Sequence, residues 1–217
     1  MDISQARFNM VEQQVRPWEV LDPTVLDAMM TIPRELFVPD DYQQLAFSDT
    51  RIPLGFGQTM LAPKCEGRLL QALSPTTAHR ALEIGTGSGY LAALLGQLCR
   101  EVVSVEIQAE FVTPASRKLR LAGLTNVQLE IGDGLDGWPA RGPYDLIAVT
   151  GSVPLRRPAL EQQLVTGGRL FLVIGTGPAM EACVITRRSE TLFELESLFE
   201  LELAPLRGAA LKPTFQF

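Results

Sequence analysis

The sequence predicts an α/β protein: a seven-stranded, mostly parallel sheet with helices on both faces, preceded by an N-terminal helical cap. Three observations lead there. From about residue 79, short apolar runs alternate with longer helical stretches, the pattern of parallel strands joined by right-handed crossovers. A glycine-rich turn, Gly85–Gly89, lies between the first apolar run and the first helix. The chain has 217 residues, 46% hydrophobic and 20% charged, enough to bury a substantial core in one folding unit.

Each element has a local reason. Ser4–Val15 is amphipathic, with Phe8, Val11 and Val15 expected on one side. Asp22 and Pro23 supply an N-cap and a first-turn proline for a helix to Met30. Pro33, Pro39 and Pro53 break the path into loops up to Gly55–Gly57, and Pro63–Leu73 reads as a further helix. Residues 1–75 contain no repeat, low-complexity tract or linker, so they are expected to cap residues 76–217 within a single domain. Arg80–Ile84, Val102–Ile107, Val127–Ile131, Tyr144–Thr150 and Arg169–Ile174 read as five buried strands. Between them fall helices at Tyr90–Leu98, up to Ala122 before Gly123, and at Pro158–Leu164. Pro114 is expected to kink the second of these or to mark its start, with Thr113 as N-cap. Ala182–Arg187 and Phe193–Leu203 are expected to close the sheet as an antiparallel pair.

Composition excludes several function classes. Lys and Arg number 19 against 25 Asp and Glu, so the net charge is 19 − 25 = −6; nucleic acid and anionic membranes want a basic face instead. One histidine, His79, and three scattered cysteines, Cys65, Cys99 and Cys183, do not make a metal site. The cysteines read as small apolar fillers, and His79 falls before the first strand, at the edge away from any ligand. No apolar run approaches the roughly 20 residues that span a bilayer. The first residues lack a basic stretch followed by an apolar one, so no secretory signal and a cytoplasmic location are expected.

The chemistry concentrates in Leu82–Tyr90, LEIGTGSGY. A strand feeds Gly85, Thr86, Gly87, Ser88 and Gly89, and a helix starts at once. Glycines let a ligand approach the backbone, and the helix N-terminus offers N–H groups to an anion. Glu106 closes the second strand with Ile107 after it, at the separation of about 20 residues where an acid binds ribose hydroxyls. Tyr90 occupies the position where the dinucleotide fingerprint needs a small residue. With Glu83 ahead of it, the E-x-G-x-G-x-G pattern resembles motif I of S-adenosylmethionine-dependent methyltransferases of the Rossmann-like class I. Gly132-Asp133-Gly134 after the third strand fits that resemblance, which implies that Asp133 and Gly134 border the adenine.

A more specific resemblance covers nearly the whole chain. MVEQQVRPWEVLDPTVLDAMMTIPRELFVPDDY and AFSDTRIPLGFGQTMLAP, with LEIGTGSGY, SVEI, GDGLDGW, PYDLIAVTGSVP and LVTGGRLFLVIG, resemble the protein-L-isoaspartate O-methyltransferases. That resemblance implies S-adenosyl-L-methionine as cofactor, S-adenosyl-L-homocysteine as product, and isoaspartyl residues of damaged proteins as substrate. Their free carboxylate is methylated by direct displacement at the sulfonium methyl. Gln58, Thr59 and Met60 would close over the methionine part, with Gly55 and Gly57 in the same loop, and Thr150 would lie near the reacting end. The family's loop reads T-I-S-[A/Q]-P, whereas this chain has Thr59-Met60-Leu61-Ala62-Pro63. Leu61 therefore stands where the family has its active-site serine, and Thr59 is the nearest other hydroxyl. Lys64 follows as a cation that could attract a carboxylate. Leu61 keeps two further readings open: a methyltransferase with another acceptor, and a non-catalytic cofactor-binding protein. The tail Lys212–Phe217 would cover the cleft or pack down; the oligomeric state is not specified.

Overall fold

The computed structural model describes residues 2–209, so Lys212–Phe217 lies outside the described residues. Helix α1 (Ile3–Met10) starts where the Asp2 carboxyl accepts from the Ser4 and Gln5 amides. It runs on through a widened turn, Val11–Val15, and a tight one, Arg16–Trp18. The widened turn rotates the face, so Met10, Val11 and Val15 are buried while Phe8 stays 46% exposed. Asp22 caps α2 (Pro23–Thr31) through the Thr24 amide, and α3 (Arg34–Phe37) follows. The stretch expected as loop then forms a hairpin, β1 (Ile52–Gly55) and β2 (Gln58–Met60). Pro53 is tolerated because a two-stranded ribbon leaves its nitrogen on a free edge. Helix α4 (Pro63–Leu73) buries Leu69, Leu70 and Leu73.

The sheet comprises β3 (Arg80–Ile84), β4 (Glu101–Glu106), β5 (Val127–Ile131), β6 (Tyr144–Val153), β7 (Leu164–Thr176), β8 (Ala179–Arg187) and β9 (Phe193–Glu200). Its order is β5-β4-β3-β6-β7-β8-β9, with β8 and β9 added antiparallel as a meander. Side-chain alternation sorts the strands into two faces. Leu82, Ile84, Val103, Val105, Ile147, Val149, Leu170 and Leu172 fill one core. Ala81, Val102, Ala148, Phe171 and Val173 join the other, with α2, α4 and the wholly buried stretch Ala92–Leu95 of α5 (Tyr90–Leu98). The first face is covered by the short α7 (Pro158–Glu161) and by Leu135 and Trp138. Residues 162–164, expected as helix, instead lead into β7, and Leu164 is its first residue.

Helix α6 (Ala109–Leu121) corrects the reading of Pro114, which neither starts nor ends it. Its N-cap is Gln108, whose amide donates to Glu106 Oε1 at 2.8 Å. Pro114 sits on the exposed face and forgoes one hydrogen bond near the first turn. Among the described residues, strand β9 is an edge of the sheet, with Glu194, Glu196 and Glu200 exposed along it. Among the described residues, no helix is long and apolar enough to cross a membrane.

One buried cation joins the N-terminal elements to the sheet. Arg34 is completely buried and pairs with the buried Glu66 of α4. Its Nε donates to the Ala46 carbonyl at 3.0 Å and its Nη2 to the Leu61 carbonyl at 2.7 Å. The guanidinium also lies 4.8 Å from the ring centroid of the buried Tyr90, the first residue of α5. Removing one partner leaves the other charged and unanswered, which typically costs about 3–5 kcal/mol. Glu66→Ala should therefore lower unfolding stability by that order in urea titrations. The double change Arg34→Met with Glu66→Leu should cost less than Glu66→Ala alone.

Candidate active site

At the carboxyl ends of β3, β4 and β6 lies a cleft of about 770 Å³, where ligands bind in open α/β sheets. Its lining includes Gln58, Thr59, Met60, Leu61, Glu83, Gly85, Thr86, Gly87, Ser88, Glu106, Ile107 and Thr150. A second, smaller cavity of about 280 Å³ shares Gly85, Glu106 and Ile107 with it and adds Asp133 and Gly134. The expected residues thus converge on one edge, except Gly89. That glycine has φ +86, and a Cβ there would meet Ala115 of α6 at 3.1 Å, so it serves packing.

The glycine turn is shaped from beneath. Gly85 has φ +94, and a Cβ there would fall 2.2 Å from Thr150 Oγ1, so no other residue fits. The Thr150 hydroxyl donates to the carbonyls of Ile84 and Gly85, each at 2.9 Å. Thr150 thus borders the cleft, but its hydroxyl is occupied in tying β6 to the turn. Glu106 pins the loop from the other side: Oε2 accepts the Gly87 amide at 2.9 Å. Asp133 is exposed, and its Oδ1 accepts the Leu135 amide at 2.9 Å, which fixes the 132–135 turn.

Glu83 is the most unusual group here. It is completely buried beside its register partner Ser104, whose hydroxyl donates to Oε2. Ser104 Oγ also lies 2.5 Å from the Thr86 hydroxyl, so the acid is linked to the glycine turn. Its Oε1 is buried with no hydrogen-bond partner among the described residues. Burial pushes the carboxyl up to about 8, the Ser104 hydroxyl opposes this, and the nearby Glu106 and Glu66 carboxyls add to the rise. An orphaned carboxyl oxygen on a cleft lining suits a cationic ligand group, and the glycine turn beside it suits close backbone approach.

The hairpin forms the opposite wall. Leu54, Met60 and Leu61 face the glycine turn across the cleft. Phe56 at its tip has φ 52 and stands edge-on to Phe111 of α6, with centroids 5.6 Å apart. Leu61 is 8% exposed, and its carbonyl is held by Arg34. Thr59 is exposed on the same rim. Lys64 turns elsewhere: its Nζ is 2.7 Å from Asp49 and 3.9 Å from the Trp18 ring, in a separate groove. His79 is at the other edge of the sheet, its Nδ1 accepting the Thr76 amide at 3.2 Å. The thiols are buried and free, with burial pushing Cys65 up to about 11 and Cys99 up to about 12.

Sequence reasoning missed several lining residues. Leu54, Glu66, Gln108 and Phe111 carry no motif, and neither does the segment 204–207, which crosses the carboxyl end of β6. That segment is attached through Ser152, whose amide donates to the Ala204 carbonyl at 3.0 Å. No periodicity in the sequence announces it.

Comparison with known proteins agrees with this geometry. Residues 6–210 match the family described as protein-L-isoaspartate(D-aspartate) O-methyltransferase. A protein-L-isoaspartate O-methyltransferase of Picosynechococcus sp. is 38% identical over 93% of this chain and 90% of its own. A protein-L-isoaspartate O-methyltransferase 2 of Marinobacter nauticus is 39% identical over 95% of each chain. A solved protein-L-isoaspartate O-methyltransferase superposes with a TM-score of 0.82 at 25% identity, over 94% of this chain and 66% of that one.

Glu83 gives the empty protein a testable pH dependence. Between the ordinary value of 4.5 and about 8, the folded state holds a proton that the unfolded state has released. Stability must then fall as pH rises through that window, by at most about 1.4 kcal/mol per unit. Glu66, also pushed up by burial although Arg34 pulls it down, acts in the same direction. Scanning calorimetry of the ligand-free protein should show Tm declining from pH 5 to 8, and Glu83→Gln should flatten the decline. Equal slopes for both proteins would refute the assignment.

Proposed function

The chain belongs to the protein-L-isoaspartate(D-aspartate) O-methyltransferase family, and we infer from that premise how its cleft works as an S-adenosylmethionine-dependent O-methyltransferase. When bound, S-adenosylmethionine supplies an electrophilic sulfonium methyl. On this reading Gly85, Thr86, Gly87 and Ser88 give the cofactor a backbone cradle. Glu106 takes the ribose hydroxyls with lone pairs left over from its two amide contacts, and Asp133, Gly134 and Ile107 border the adenine. Glu83 receives the cofactor's ammonium group at its unpartnered oxygen. Gln58, Thr59 and Met60 close the methionine end from the hairpin, with Thr150 behind the turn.

The observation that carries this reading is the meeting of Glu83, Glu106 and the glycine turn in one cleft facing Leu61. The acceptor is the free carboxylate of an isoaspartyl residue, ionised at neutral pH with an ordinary value near 4. No general base is needed, and the only histidine sits at the other sheet edge. Alignment of the reactants and exclusion of water are the protein's tasks. Leu61 contributes to both through an apolar wall whose backbone Arg34 holds still. We take residues 1–217 as one methyltransferase unit capped by residues 1–75. Its acidic balance supports damaged protein rather than nucleic acid as partner, and its free thiols support a cytoplasmic setting.

The test mixes protein, radiolabelled S-adenosylmethionine and an isoaspartyl peptide beside its normal aspartyl twin. Base-labile label should appear on the isoaspartyl peptide alone; label on neither would refute the reading. Glu106→Ala should weaken S-adenosylhomocysteine binding in calorimetry by roughly tenfold to a hundredfold, the loss typical of hydrogen bonds to a charged group. Leu61→Ser should raise kcat on the isoaspartyl peptide by roughly tenfold, if a hydroxyl there bonds the acceptor carboxylate.

A further inference from the structure

The cleft is lined for a cation, yet its substrate is an anion. Three carboxyls, Glu66, Glu83 and Glu106, line it. Arg34 answers Glu66, whereas Glu83 and Glu106 accept only from hydroxyl and amide groups among the described residues. A carboxylate entering this space meets a lining of carboxyl groups, which disfavours it unless a free cation answers.

Most nearby cations are committed. Arg34 is fully buried and spends its donors on Glu66, Leu61 and Ala46. Lys64 is held by Asp49 outside the cleft. Lys118 donates to the Phe37 carbonyl at 2.8 Å. Arg207 differs from all of these. It lines both the main cleft and the smaller cavity, it is exposed, and it makes no hydrogen bond or ion pair with any described residue. The backbone that carries it is fixed: Ser152 Oγ donates to the Leu203 carbonyl at 3.0 Å, and the Leu206 amide donates to the Ser152 carbonyl at 2.9 Å. A long cationic side chain therefore stands on an anchored strap at the cleft.

We propose that Arg207 is the carboxylate receptor of this enzyme, its guanidinium taking the isoaspartyl carboxylate as it enters the cleft that Leu61 lines. The inference rests on the isoaspartyl reading of the site and names the residue that recognises the substrate's charge. A guanidinium meets a carboxylate through two parallel N–H donors, fixing orientation as well as position. At this site it supplies donors that leucine lacks.

The experiment titrates an isoaspartyl peptide into protein loaded with S-adenosylhomocysteine and measures methyl transfer in parallel. Arg207→Gln should weaken peptide binding and raise KM by roughly tenfold or more, a larger factor than its effect on S-adenosylhomocysteine affinity. Arg207→Lys should recover much of the loss. A peptide with that carboxyl replaced by a carboxamide should bind wild type and Arg207→Gln alike, which a merely structural role would not produce. If transfer proceeds and Arg207→Gln binds the isoaspartyl peptide as wild type does, the receptor assignment falls and the methyltransferase reading stands. If no methyl is transferred but carboxylate binding still depends on Arg207, the assignment stands and the isoaspartyl reading falls. Wild type that neither binds the peptide nor transfers methyl would overturn both.

Discussion

A single buried guanidinium organises this molecule. Arg34 reaches α4 through Glu66, the hairpin side of the cleft through the Leu61 carbonyl, the cap through Ala46, and α5 through Tyr90. In a low-dielectric interior such a charge is held only by nearly complete satisfaction, so these four elements have little freedom to shift separately. The Leu61 wall of the cleft is thereby tied to the helix that begins at the glycine turn. Methyl transfer to a ready nucleophile depends mainly on such fixed distances.

The electrostatics of the cleft divide by depth. Buried acids beneath the glycine turn form its floor, and Glu83 is the extreme case because its second oxygen has no hydrogen-bond partner among the described residues. The rim carries the hairpin on one side and the strap with Arg207 on the other. A sulfonium cofactor and a carboxylate substrate have opposite charges, and this arrangement offers each a different layer. The Phe56–Phe111 contact closes one end of the rim by an edge-to-face pair, an interaction of about 0.5–1.5 kcal/mol.

Much of this was legible in the sequence because periodic patterns report regular structure. The β-α alternation located five strands and two further apolar runs the closing antiparallel pair, while E-x-G-x-G-x-G with Glu106 and Gly132-Asp133-Gly134 located the successive strand ends that build the cleft. What escaped was long-range or aperiodic. Nothing in PRELF announces that Arg34 is buried, since only the fold brings Glu66 to it across 32 positions. The hairpin was hidden by its proline, and α6 runs through Pro114 because its start is set by Glu106 rather than by a local cap. Lys64 pointed to the cleft by adjacency in sequence, but Asp49 and Trp18 draw it outward. The strap bearing Arg207 has no repeat to betray it, being attached through Ser152 at the end of β6 and the packing of Leu206.

The open edge at β9 has a meaning of its own for an enzyme of this kind. Unpaired strand edges are templates for aggregation, above all beside damaged chains. An enzyme that handles them while offering seven strands with a bare margin would be at risk of being consumed by its own clientele. Glu196 and Glu200, with Glu194 paired to Arg188, put charged side chains along β9 and make that margin a poor template. The acidity first counted as a bulk property thus also makes this margin unwelcoming to strand addition.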